Sequence, residues 1–97
     1  MEKVTQFYNK NQFIITSNER TVFQSYDSTI ALLDSKNHLT LGRDWDYSNT
    51  TRKHLYLFLS DYSYNATIQE ALQETNKRKA IQKLIDEGFI SYDENLQ

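Results

Sequence analysis

The stretch Asp44-Trp45-Asp46-Tyr47-Ser48 sets the only tryptophan of the chain beside two carboxylates at i,i+2 and a tyrosine. Trp and Tyr are the side chains most enriched in binding hot spots, so Trp45 and Tyr47 are candidates for partner contact. The same residues have a structural use. Trp45 and Tyr47 can plug a corner of the core, with Asp46 or Ser48 tying down the turn. Two carboxylates this close could begin a hard-cation site, but no third and fourth oxygen ligand accompanies them, and no metal ligands are assigned.

His38 and His54 are the only histidines. Acid–base catalysis needs a second group at a defined distance, and no spacing here supplies one. The expected role of His54, next to Arg52 and Lys53, is a partly buried hydrogen-bonding imidazole. The chain has no Cys, hence no thiol nucleophile, disulfide or thiolate zinc site. It also lacks a Gly-x-Ser-x-Gly elbow and a Gly-rich phosphate loop. No catalytic residue and no cofactor is expected, and the chain is not expected to be an enzyme.

Two basic clusters stand out: Arg52-Lys53-His54, and Lys77-Arg78-Lys79 with Lys83. Both fall near expected helix starts, where backbone N–H groups favour anions. They read either as phosphate contacts or as solvated helix faces. Eleven Lys+Arg against thirteen Asp+Glu leave a net charge of −2. That balance gives no bulk footprint for nucleic acid, and it argues against such a partner unless the basic residues gather on one face.

Chemistry of either kind needs a scaffold. Ninety-seven residues make one domain. The hydrophobic fraction of 38% is low, but 13% of residues are aromatic and each ring buries a large area. The longest apolar run, Leu55 to Leu59, is far too short to span a bilayer. No signal peptide opens the chain, so the expected location is cytoplasmic, with no membrane partner. Disorder is expected only in the first two or three and last four or five residues.

Val4–Tyr8 reads as a short strand, with Asn9-Lys10-Asn11 as its turn. Residues 12–16 and 21–26 across a polar break form a hairpin, and residues 29–33 and 38–41 continue a meander. Leu55, Phe58, Leu59 and Tyr62 then fall on one helical face, with Tyr56 and Leu57 adding apolar surface elsewhere. Thr50 or Thr51 is the expected cap of that helix. Thr67-Ile68-Gln69-Glu70 is a capping-box pattern for a second helix. The apolar phase slips near Thr75-Asn76, predicting a break before a last helix. Gly88 is a C-terminal cap signal with Phe89 as its hydrophobic contact, and residues 89–92 read as one more short strand.

Ser25-Tyr26, Ile30-Ala31 and Trp45-Asp46-Tyr47-Ser48-x-Thr50-Thr51-x-Lys53-His54-Leu55-x-x-Phe58-Leu59 resemble small proteins of unknown function from phages, prophages and plasmids. The resemblance covers about a third of the chain. It implies a mobile-element origin in a bacterial host and carries no catalytic residue with it. Small proteins from that setting often block host defence enzymes, anti-CRISPR proteins among them. A structural role explains nearly every residue of the motif except Arg52 and Lys53, the candidates for outward contact.

The expected fold is α+β in one domain: a three- to four-stranded antiparallel meander over residues 1–43, the motif and packed helix over 44–62, and C-terminal helices over 63–97. The second face of the sheet would be covered by those last helices or by a second copy of the chain. The expected function is binding and inhibition or modulation of a host or defence protein. The alternative is a nucleic-acid-binding regulator using Lys77, Arg78, Lys79 and Lys83.

Overall fold

The computed structural model describes residues 2–96, leaving aside the side chains of Asn9 and Lys10. Of the first two or three and last four or five residues expected to be disordered, Met1 and Gln97 lie outside the described residues, whereas Lys3 and Asp93 belong to strands. Six strands form one sheet in sequence order: β1 (Lys3–Phe7), β2 (Asn9–Thr16), β3 (Arg20–Ser25), β4 (Ser28–Asp34), β5 (Leu39–Gly42) and β6 (Ser91–Asp93). The first five are antiparallel neighbours, and β6 adds parallel to β5. The meander is therefore longer than the three or four strands expected. Its first turn lies at Tyr8, with φ 61°, and not at Asn9–Asn11. Tertiary pairing overrides the turn-forming habit of those asparagines: the Tyr26 N–H donates to the Asn11 carbonyl at 2.7 Å.

Strand alternation fixes which face is buried. Ile14, Phe23, Ala31 and Leu41 form one cross-strand row, with Leu33 opposite Leu39 beside it. Helix α1 (Asn49–Tyr62) sets Leu55, Phe58 and Leu59 into the same core, and the Phe58 ring stacks on Phe23 at 5.6 Å. The register shifts after Phe23, so Ile30 has no partner of its own and both Ile30 and Ala31 enter the core.

Helices α2 (Ala66–Ala71) and α3 (Lys77–Asp86) add Ile68, Ala71, Ile81 and Leu84 to that same cluster. The C-terminal helices thus do not cover the second face of the sheet. That face carries the row Val4, Ile15, Val22 and Leu32, none of which belongs to the helix-side core.

The helix ends correct three expectations. Ser48, and neither threonine, caps α1 by accepting from the Thr51 N–H at 3.1 Å. Asn65 caps α2 by accepting from both Thr67 and Ile68, so the Thr67–Glu70 capping box is not used. An amide oxygen two residues earlier reaches the same orphan donors. The break near Thr75-Asn76 is present, with Asn76 capping α3. Gly88 ends α3 at φ 83°, with Gly88 N–H donating to Ile85 O and Phe89 N–H to Leu84 O, a Schellman pattern. Ile90, buried, follows into the core, whereas Phe89 points outward.

A cationic groove between the first and last helices

The fold brings the two basic clusters to one place. Arg52 and Lys53 from α1, with Lys77 and Arg78 from the start of α3, line a groove of about 800 Å³. Its apolar surface comes from Tyr56, Leu57 and Leu72. No Asp or Glu lines it. Burial pushes the Tyr56 phenol above its ordinary pKa, so it remains a neutral hydroxyl in the groove. Lys79 and Lys83 belong to the exposed surface of α3 outside this lining.

Asp46 holds the groove's two guanidinium groups. Arg52 Nη1 donates to Asp46 Oδ1 at 2.6 Å and to the Asp46 carbonyl at 3.2 Å. Arg78 Nε donates to Asp46 Oδ2, also at 2.6 Å. Arg52 also donates through Nη2 to Asn49 Oδ1. Arg52 is therefore held by Asp46 and Asn49 and partly buried, while Lys53 is exposed. One carboxylate against four cations leaves the region positive.

The other candidates separate. Trp45 is in the core at 4% exposure, whereas Tyr47 is 79% exposed. They do not plug the core together, because residues 43–46 form turns that part them: Trp45 N–H donates to Gly42 O, and Tyr47 N–H to Asp44 O. His54 is buried, its Nδ1 at 2.8 Å from the Thr50 carbonyl. His38 Nε2 meets Ser91 Oγ at 2.7 Å, bracing the start of β5 against β6. The two histidines thus bond to different elements, His38 to a serine hydroxyl of β6 and His54 to a backbone carbonyl within α1. Among the described residues no three His, Asp or Glu side chains gather as a metal site, and no helix is long and apolar enough to cross a membrane.

Residues 1–83 match a family of unknown function, DUF8033. The chain belongs to that family. The DUF8033 match takes in both walls of the groove, from Arg52 to Arg78. No curated protein and no solved structure matches the chain.

Tyr56 and Leu57 were visible in the sequence as apolar residues off the main face of α1, and the groove gives that surplus a place. Asn49, which also lines the groove, carried no sequence signal.

Proposed function

We propose that the chain is a non-enzymatic binding protein that occupies a partner protein stoichiometrically, inhibiting or modulating it. The groove between α1 and α3 takes an acidic segment of that partner. The observation that carries this reading is the meeting of Arg52, Lys53, Lys77 and Arg78 over an apolar floor of Leu57 and Leu72. An acidic peptide with an apolar side chain uses both features. A nucleic-acid backbone uses only the charge, and the chain's net charge of −2 opposes its approach at long range. The resemblance to mobile-element proteins makes a bacterial defence effector the partner class to try first.

The convergence of the basic clusters also favours a second reading, a nucleic-acid binder, and salt dependence separates the two. The direct test mixes the purified protein with candidate effectors and follows their activity against molar ratio. Inhibition saturating near equimolar, surviving His38→Ala and lost in the double variant Lys53→Glu/Lys77→Glu, is the expected result. Strongly substoichiometric inhibition that grows with time means turnover and overturns the proposal.

A further inference from the structure

A second cavity, of about 590 Å³, opens where the β3–β4 turn meets the start of α1. It shares no lining residue with the cationic groove. Its chemistry is the reverse. Hydroxyls come from Ser25, Ser28, Ser48, Thr50 and Thr51, and carboxylates from Asp27 and Asp44. Tyr26 and Tyr47 also line it, both strongly exposed. No Lys, Arg or His does. A smaller cavity of about 330 Å³ shares Asp27, Ser28 and Asp44 and adds Glu94 and Arg43. The combined region holds three carboxylates against one guanidinium.

The acceptors are oriented. Ser28 Oγ donates to Asp44 Oδ2 at 2.9 Å, which fixes the carboxylate and uses one of its roughly four acceptor directions. Ser48 Oγ donates to Thr51 Oγ1 at 3.1 Å. Ser25 pairs in register with Gln12, so the two side chains share a face of the sheet. Gln12 is 1% exposed and its Oε1 has no hydrogen-bond partner. Gln12 itself does not line the cavity, and the acceptors that do are the carboxylates of Asp27 and Asp44 and the hydroxyl oxygens, each hydroxyl being a donor as well.

We infer that this cavity takes a guanidinium group, presented by an arginine side chain of a partner protein. A guanidinium offers five N–H donors and one positive charge to a lining of acceptors and carboxylates. Its plane stacks on tyrosine faces, which an ammonium does less well. The α1 N-terminus at the cavity edge opposes a cation with about half an elementary charge, and two full carboxylates outweigh it. Ser48 already satisfies the Thr51 N–H there, which removes one of the donors an anion would seek. A partner's side chain, in place of a free cation, suits the two exposed tyrosines, since such rings anchor protein interfaces.

The test titrates acetyl-Gly-Arg-Gly-amide into the full chain labelled with ¹⁵N and follows backbone amide shifts. Saturable shifts confined to residues 25–28 and 44–51 are expected. The lysine peptide should bind more weakly, and the citrulline peptide, neutral and of the same shape, at least tenfold more weakly. Asp44→Asn should weaken the arginine peptide about tenfold, and Tyr47→Ala several-fold with no change in charge. Asp27→Asn, in the exposed turn, gives the charge test should Asp44→Asn fail to fold. Equal binding of the citrulline peptide, or no saturable shift, overturns the inference. Free arginine binding more tightly than the peptide overturns the assignment to a partner protein.

Discussion

Arg78 Nε donates to Asp46 Oδ2 at 2.6 Å, joining the first turn of α3 to the segment that precedes α1. Arg52 holds the other oxygen of the same carboxylate. Asp46 therefore does two things at once: it ties two elements distant in sequence, and it damps the positive charge of the groove they form. Both arginines are partly solvated, so the pairs contribute little to stability, about 1 kcal/mol or less each. Asp46→Ala should lower the melting temperature by only a few degrees, and less at high salt. The same variant should bind a polyglutamate peptide more tightly, because two guanidinium groups are released. Weaker peptide binding by a folded Asp46→Ala would mean that Asp46 organises the groove more than it screens it.

Trp45 is almost wholly buried in the core cluster. Trp45→Ala should destabilise the fold by about 3–5 kcal/mol through lost burial and the cavity left behind. Tyr47→Ala, two residues on, removes an exposed ring and should leave the melt within about 0.5 kcal/mol of the parent. Thermal melts of the two variants side by side check the contrast, and equal shifts would contradict it.

How far the sequence discloses this arrangement depends on the range of the force involved. The meander, the break before α3 and the Gly88 cap rest on local chemistry and were legible. The swap of Thr67 for Asn65 as the α2 cap was not, because both offer an oxygen within reach of the same donors and only the backbone path decides. Period-2 alternation cannot show that Ile30 and Ala31 both point inward, since the bulge depends on the partner strand. The same failure separated Trp45 from Tyr47: a turn in place of an extended segment rotates one inward and the other out. The two basic clusters were visible singly. Their meeting in one groove depends on how α3 returns against α1, a relation between elements that no local pattern carries.

The α2 cap gives a sharp comparison. Asn65→Ala should cost about 0.5–2 kcal/mol, since Asn65 Oδ1 accepts from Thr67 and Ile68 at 2.9 and 3.2 Å. Thr67→Ala should cost less, because its hydroxyl is not the cap. Denaturant midpoints at constant slope measure both, and the reverse order would restore the capping box.

Asp34 ties the β4–β5 turn, accepting at Oδ1 from the His38 and Lys36 backbone N–H groups, each at 2.9 Å. These bonds, that from His38 foremost, hold its carboxyl below the usual carboxylate value. A depressed folded pKa means the unfolded chain binds the proton first as pH falls. The stabilisation is then complete above the unfolded Asp value of about 3.9 and is lost as pH drops through the folded one. Asp34→Asn should flatten this acid limb of stability against pH. A limb of unchanged steepness would place the acid sensitivity elsewhere.

Four cations line the groove, and two of them already share Asp46. Around the second cavity the surface is acidic, with Asp27, Asp44 and Glu94 outnumbering Arg43. A duplex laid along the groove could therefore neutralise few phosphates before meeting repulsion elsewhere. Each neutralised phosphate contributes a slope of about −0.9 in log K against log salt. Random duplex DNA should bind weakly or not at all at physiological salt, with a slope shallower than about −2, as expected for two unpaired lysines. Fluorescence anisotropy across a salt series measures this. A slope of about −4 or steeper, abolished by neutralising Lys77, Arg78 and Lys79 together, would show that α3 and its neighbours engage phosphates as a continuous face, and the groove's partner would then be nucleic acid and not protein.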